Sequence, residues 1–198
     1  MTITPPSAGV VQQVCAADAL ARTRVDRVLR GLGEMWSVLR AVPSHPGGLA
    51  SPVPFAPALG RSADHVLIGP GGVLVITTTA QTGRQVLSDA GRLVVDGVLS
   101  DHHLHAGVQT RRVERALTRA TDLPVTAASV LVVVDAAELV VVDRPRSDRV
   151  RVLGLAGLAA AVSDLGVPSS TDGAPVTARL QAAADDPRTW CLAEPAGV

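Results

Sequence analysis

The stretch that decides the fold is Asp64–Thr79, which reads DHVLIGPGGVLVITTT. Two apolar, β-branched runs, His65–Ile68 and Val73–Ile76, flank the turn sequence GPGG. Pro followed by Gly suits the two central positions of a type II turn, where the second residue needs a positive φ. The stretch therefore predicts a tight β-hairpin. An acid would lie at the start of its first strand and three threonines at the end of its second, together at one edge of a sheet.

The spacing of apolar residues predicts further elements on both sides of this hairpin. Helices are expected at about Ala17–Leu32, His103–Ala120, Leu155–Leu165 and Ala174–Ala184, and strands at Met35–Val42, Gln85–Leu87, Arg92–Val95, Ala127–Val134, Leu139–Val142 and Arg149–Leu153. The strand Ala127–Val134 is apolar throughout, which is typical of a strand buried on both faces. The order of the elements predicts an α/β (α+β) fold, with a mixed β-sheet flanked by helices.

Length and composition are those of one globular domain. The chain has 198 residues, of which 47% are hydrophobic, so it can bury a sizeable core. We expect a flexible N-terminal tail at residues 1–15, a domain at 16–166, and a C-terminal helix and tail at 167–198. Pro43–Arg61 is rich in Pro, Gly, Ser and Ala, which predicts a long loop.

Charge and cysteine content exclude several classes of protein. Lys+Arg 18 and Asp+Glu 18 give a net charge of +0, so any acidic or basic site must be a local patch. Every one of the basic side chains is Arg, a bias that suggests a GC-rich, actinobacterial coding sequence. Cys15 and Cys191 lack the spacing of a metal or disulfide framework, which indicates thiols in a reducing compartment. We find neither a signal peptide nor a membrane-span pattern, and expect a cytoplasmic protein with no membrane partner.

The hairpin stretch resembles the nuclease-related domain family, a bacterial branch of the PD-(D/E)xK restriction-endonuclease-like group. The family signature has an acid and a His opening a strand, a Gly-Pro-Gly-Gly turn, and an apolar strand ending in acid-x-Lys. Residues 64–76 follow it almost residue for residue. Residues 109–117, QTRRVERAL, and the apolar strand at Val130–Asp135 are similar to later parts of the family pattern. The resemblance covers about residues 17–165 and implies a restriction-endonuclease-like sheet.

The resemblance also implies a site, which this chain has largely lost. In the family, two acids hold Mg²⁺, which activates water, and a Lys stabilises the attacking species. By position, the first acid is Asp64, but the second acid and the Lys fall on Thr77 and Thr79. Gln109 matches the family's helix Gln. An acid of the first helix aligns with Arg22, whose charge repels a cation.

Two interpretations of that site stay open. The first is a degenerate member that has lost hydrolysis, needs no cofactor, and acts as a nucleic-acid- or protein-binding module. The alternative is a divergent Mg²⁺-dependent DNA nuclease that uses Asp64 as its metal ligand, helped by Gln109 and by Asp96 or Asp101. No motif for a small-molecule cofactor is evident, since the GPGG turn lacks the Lys and following helix of a phosphate-binding loop.

A stripe of arginines on the second predicted helix is the candidate nucleic-acid surface. Arg111, Arg115 and Arg119 recur every four residues, with Arg112 beside them, so they share one face. Guanidinium groups bind phosphate well. The alternative is an ordinary solvated face balanced by Glu114. Because the chain has almost no aromatic residues, single-strand binding by base stacking is not expected.

The histidines support weaker hypotheses. His102, His103 and His105 follow Asp101, a spacing that zinc sites use, but a solvated helix start capped by Asp101 is the favoured interpretation. His65 follows Asp64 in the strand and so points to the other face, where packing is expected rather than catalysis.

Overall fold

The structure, a computed structural model, describes residues 8–42, 63–142, 150–165 and 173–190. These residues form nine strands and five helices. The helices are α1 (Ala8–Leu29), α2 (His102–Thr121), α3 (Leu158–Leu165), α4 (Gly173–Asp185) and α5 (Pro187–Trp190), with 3-10 turns at Arg30–Leu32 and Leu155–Gly157. The strands are β1 (Ser37–Val42), β2 (Ala63–Gly69), β3 (Gly72–Ala80), β4 (Gln85–Asp89), β5 (Arg92–Val95), β6 (Val98–Ser100), β7 (Ala127–Val134), β8 (Glu138–Val142) and β9 (Val150–Gly154). The predicted mixed α/β fold class is confirmed.

Three elements differ from the sequence-based expectation. Helix α1 begins at Ala8 rather than near Ala17, so residues 8–15, which were expected in a flexible tail, are helical. Strand β6 was not predicted, because three residues are too few for a periodicity. Helix α5 was assigned to a tail, yet Thr189 is buried and the Trp190 indole donates to the Ala184 carbonyl at 2.9 Å.

The larger sheet has the strand order β1-β2-β3-β7-β9. Strands β1, β2 and β3 pair antiparallel, whereas β3, β7 and β9 pair parallel. One face packs against α1 and α3, through a cluster that includes Val25, Ile76 and Val162. The other face packs against α2 and α4. Strand β7 is buried on both faces, as its sequence predicted.

A second, four-stranded sheet has the order β6-β5-β4-β8. Its inner face carries Val86, Leu93 and Val95, which form a core cluster with Ala106 of α2 and with Leu131 and Val133 of β7. Strand β8 pairs parallel to β4, although it follows β7 in the chain. The sequence indicated β4, β5 and β8 but not β6, and a pattern of apolar residues cannot assign strands to separate sheets.

The turn between β2 and β3 differs from the predicted type II turn. Gly69 and Gly72 are paired across a two-residue loop, and the positive φ falls on Gly72 (105°), not on Gly71. A left-handed glycine at the fourth position fits a type I turn with Pro70 at its second position. A Cβ added at Gly69 would lie 2.5 Å from the Trp36 ring, so the chain needs a glycine there for close packing.

Some of the sequence-based expectations concern residues outside the described ranges. The predicted loop Pro43–Arg61 and Cys191 fall outside the described ranges. Helix α1 crosses the expected boundary at residue 15, and the boundary at residue 166, which falls outside the described ranges, remains a prediction. Over the described ranges, each helix is too short or too polar to cross a membrane.

Candidate functional site

Asp64 lies near the start of β2, against the end of β3. The antiparallel hairpin brings these two strand ends together, because His65 pairs with Ile76 and the strands then continue toward the Thr77–Thr79 segment. The Thr78 backbone N–H donates to Oδ2 of Asp64 at 2.6 Å. The acid and the threonines thus meet at one sheet edge, as the hairpin sequence predicted.

Arg22 of α1 forms an ion pair with Asp64. Its Nε lies 2.8 Å from Oδ1 of Asp64, and the two side chains are 42% and 9% exposed. Both carboxylate oxygens therefore have partners within the chain, one a guanidinium and the other a backbone amide. A hard divalent cation binds through carboxylate oxygens. Here an arginine occupies the side of the carboxylate that a cation would need.

Burial and charge act in opposite directions on Asp64. Burial raises the pKa of Asp64 above its ordinary value of 3.8, while the Arg22 guanidinium and the Thr78 N–H lower it and the nearby Asp18 raises it. Desolvation disfavours the charged form, and an adjacent cation favours it. Arg22 is thus the largest of the influences that favour the charged form of this buried carboxylate.

Asp18 is a site residue that the sequence reasoning missed. It lies one helical turn before Arg22 on α1 and is buried. Its Oδ1 accepts the N–H of Ala80, the last residue of β3, at 3.2 Å. A signal was present in the sequence, because Asp18 falls on the stripe that continues through Ala21, Val25 and Leu29. An acidic residue on the buried stripe of a helix is rarely found without a specific partner.

Thr77 and Thr79 lie on the α2 side of the larger sheet. They pair in register with Leu131 and Val133, which belong to the cluster that contains Ala106 of α2. Side chains of directly paired residues project from the same face of a sheet. Thr79 Oγ1 accepts a hydrogen bond from Gln81 at 2.8 Å, and the buried Thr77 hydroxyl has no hydrogen-bond partner. Neither position carries a charge.

Gln109 is fully buried on the inner stripe of α2, together with Val113 and Leu117. Neither its amide oxygen nor its amide nitrogen has a hydrogen-bond partner. An unpaired buried polar group costs about 1–3 kcal/mol. Because α2 covers the face that carries Thr77, the two residues project into the same layer of the molecule. The sequence placed Gln109 in the site, and that placement remains a prediction.

The other suggested metal ligands are Asp96 and Asp101. Asp96, in the β5–β6 turn, accepts the Gln85 N–H at 2.9 Å and lies 3.8 Å from Arg84. Asp101 occupies the N-cap position of α2 but makes no side-chain cap bond, so the expected capping is wrong. Throughout the described ranges, no three His, Cys, Asp or Glu side chains are grouped as a metal would require.

The histidines are placed by packing. His105 is buried on the inner stripe of α2, whereas His102 lies beside Ser100 at the helix start. His65 is buried on the α1 face, with Nε2 at 3.6 Å from Asp26. Burial lowers the pKa of His65 below its ordinary value of 6.5. His65 was expected to be packed rather than catalytic, and its burial confirms the packing.

The arginine stripe lies on the outer side of α2. Arg111, Arg115 and Arg119 are exposed, and Arg112 is half-buried. Glu114, which lies between these arginines on the helix, accepts the N–H of Ala127 at the start of β7 at 2.9 Å through its Oε1. A concavity of about 440 Å³ lies near the C-terminal end of α2, between α2, α4 and α5. Its lining includes Arg179, Asp186 and Arg188.

Comparisons of the chain with protein-family models, with curated proteins and with solved structures found no match.

Proposed function

We propose that the chain is a degenerate member of the nuclease-related domain family, with a restriction-endonuclease-like fold that no longer hydrolyses nucleic acid and serves as a binding module. The observation that carries this proposal is the contact of Arg22 with Asp64 at 2.8 Å. The guanidinium takes the position of the metal ion at the one acid that the family signature leaves in this chain.

The lost activity follows from the charges of the site. Metal-dependent hydrolysis needs carboxylates that hold the ion and a group that stabilises the attacking water. At this site one acid is neutralised by Arg22, the second acid position is Thr77, and the Lys position is Thr79. The chain contains no lysine that could replace the last of these. A metal would have to displace Arg22 before it could bind Asp64.

The favoured ligand is a nucleic-acid backbone, bound along the exposed face of α2. Arg111, Arg115 and Arg119 present three guanidinium groups on one helical face, and each can bind a phosphate through its planar fork. Three phosphate contacts predict an affinity that falls with salt with a logarithmic slope of about −3. Without aromatic platforms, the binding would be to duplex rather than to stacked single strands. A protein partner is the other outcome of the same test.

The first experiment is DNA cleavage by the purified protein with Mg²⁺ or Mn²⁺, beside the variant Asp64→Ala. Absence of cleavage, or equal traces in both proteins, supports the binding module. Cleavage that disappears in the variant contradicts the proposal, because it would show a working metal site at Asp64.

Binding is tested separately, by fluorescence anisotropy with a labelled duplex at several salt concentrations. The triple variant Arg111→Gln, Arg115→Gln, Arg119→Gln should bind weakly and lose most of the salt slope. A matched triple variant at Arg27, Arg30 and Arg151, which are also exposed, should bind like the wild type. If the wild type does not bind duplex even at low salt, the ligand is a protein rather than a nucleic acid.

The second candidate function is the divergent DNA nuclease, and the position of Asp18 favours it. Asp18 is a second buried carboxylate, close enough for its charge to raise the pKa of Asp64. If Mg²⁺ displaced Arg22, Asp18 and Asp64 would be its protein ligands. This candidate requires cleavage that both Asp18→Asn and Asp64→Asn abolish and that Arg22→Ala increases. No cleavage by Arg22→Ala would exclude it.

A further inference from the structure

The outer face of the four-stranded sheet carries a continuous row of apolar side chains. In register, Leu99 of β6 pairs with Val94 of β5, Val94 with Leu87 of β4, and Leu87 with Val140 of β8. Leu87, Val140 and Leu99 are 40%, 43% and 66% exposed. We call these four residues the apolar row. It crosses every strand of this sheet.

Such a row is unusual for a sheet face that meets solvent. The inner face of the same strands supplies the core residues Val86, Leu93 and Val95, so alternation should make the outer face polar. Single exposed apolar residues are ordinary, whereas a contiguous patch indicates an interaction surface. The edge strand β8 adds Val142, which is also exposed and projects from the same face as Val140. Edge strands are usually protected by charges, and β8 has one only at its first residue, Glu138.

The residues beside the apolar row differ in charge on its two sides. On one side lie Glu138, its register partner Gln85, and Asp96, which is hydrogen-bonded to Gln85. On the other side lie Asp89 and its two register partners, Val142 and Arg92. Consider a second copy of the chain, related to the first by a two-fold axis that runs parallel to the apolar row. The apolar rows of the two copies then face each other, and each side of one row faces the opposite side of the other. Asp96 of each copy then faces Arg92 of the other.

We propose that this face is the interface of a homodimer, in which the apolar row packs against the same row of a second copy. A two-fold interface uses one patch twice, so the patch must complement itself. Here the centre is apolar, and after the rotation Asp96 meets Arg92, while Glu138 meets Val142 and Gln85 meets Asp89 without a clash of like charges. The Arg84–Asp96 pair does not prevent this, since its atoms are 3.8 Å apart and both side chains are more than half exposed. Two sheets packed face to face, with aligned strands, are a common arrangement.

The size of the face sets the expected strength. Four strands about 4.8 Å apart and about 17 Å long cover roughly 300 Å². A standard stable interface buries about 800 Å² on each partner. The sheet face therefore forms the apolar centre of a small interface, and the dimer should be weak, with a dissociation constant in the micromolar range.

The test is sedimentation velocity of the full chain across a wide range of protein concentration. The wild type should shift from monomer to dimer as its concentration rises. Leu87→Asp and, independently, Leu99→Asp should each raise the dissociation constant about tenfold or more, because each places a charge within the apolar row. Arg92→Glu should also weaken the dimer, and more so at low salt. Leu20→Asp on α1, which is 56% exposed, is the matched control and should dimerise like the wild type.

Folding of each variant is checked by circular dichroism and thermal melting. Because Leu99 is well exposed, its variant should remain folded even if Leu87→Asp does not. A wild type that stays monomeric at every concentration overturns the proposal. A dimer that persists in folded Leu87→Asp and Leu99→Asp also overturns it, since the interface would then lie elsewhere.

Discussion

Replacing Arg22 by alanine tests whether this side chain holds the charge of Asp64. The substitution removes the guanidinium from Oδ1 of Asp64 and leaves the Thr78 N–H on Oδ2. The carboxylate stays buried, but without the neighbouring cation. We expect the variant to be less stable at neutral pH, because a buried charge without its partner is costly.

The expected loss in the free energy of unfolding lies between two known limits. Breaking a buried ion pair costs about 3–5 kcal/mol, whereas exposed pairs contribute about 0–1 kcal/mol. Asp64 is 9% exposed and Arg22 is 42% exposed, so solvent screens one partner only. We expect a loss of about 2 kcal/mol, which lowers the melting temperature by about 4–8 °C in a chain of this size.

The pH dependence gives a sharper signature than the loss itself. The folded-state pKa of Asp64 is already raised above 3.8 by burial, and Arg22 is the largest influence that opposes the rise. Without Arg22 this pKa rises further, so the variant favours the protonated acid more strongly than the wild type does. Stability linked to a raised pKa is present at low pH and is lost as the pH rises through the folded-state value. The difference in the free energy of unfolding between variant and wild type should be largest at neutral pH and should decrease as the pH falls toward 3.8.

The measurement is thermal or urea unfolding of both proteins from neutral to acidic pH. Arg24→Ala is the matched control, because Arg24 lies on the same helix and pairs with Asp135, and both side chains are about 40% exposed. The control should lose less than about 1 kcal/mol. If Arg22→Ala is as stable as the wild type at neutral pH, or equally destabilised at all pH values, Arg22 does not sustain the Asp64 charge.

Three further substitutions test other parts of the structure. Gly69→Ala should cost about 1–3 kcal/mol, since its Cβ would lie 2.5 Å from the Trp36 ring, whereas Gly157→Ala, with open space around it, should be nearly neutral in the same melts. Gln109→Met should stabilise the protein by about 1 kcal/mol or more, because it removes a buried amide without partners; a destabilised variant would show that the amide is bonded in solution. The pKa of His65 is lowered by burial, so wild-type stability should fall as the pH drops below 6.5, and His65→Gln should reduce that slope in unfolding measured across this range.

The hairpin and β7 show what the sequence could determine about the fold. Alternating and continuous apolar runs with a Pro-Gly turn were sufficient to place β2, β3 and β7 within one or two residues of their observed bounds. The turn type was not determined, because a GPGG sequence allows a positive φ at more than one glycine and the observed one is Gly72. The separation into two sheets depends on the pairing of β8 with β4, a long-range contact without a local signal.

The candidate site could be located from the sequence, but its chemistry could not. The hairpin predicted that Asp64 meets the strand-ending threonines, and the Thr78 N–H bond agrees. The ion pair with Arg22 and the neighbouring Asp18 depend on how α1 lies across the end of β3, since Asp18 also accepts the Ala80 N–H. A helix docked one turn further along would have brought other side chains to Asp64. The sequence indicated only Arg22 on this helix, and the way α1 packs on the sheet determines that both Arg22 and Asp18 lie near Asp64.

The position of β3 at the centre of the larger sheet has a consequence for the way the chain folds. Its antiparallel partner β2 is adjacent in sequence, but its parallel partner β7 follows only after β4, β5, β6 and α2. Pairings between distant segments form slowly, because a long loop must close first. On the ribosome, β1, β2 and β3 emerge before β7, and the uncharged edge of β3 then has no partner strand. This aggregation-prone edge of β3 would thus exist during synthesis and disappear when β7 docks.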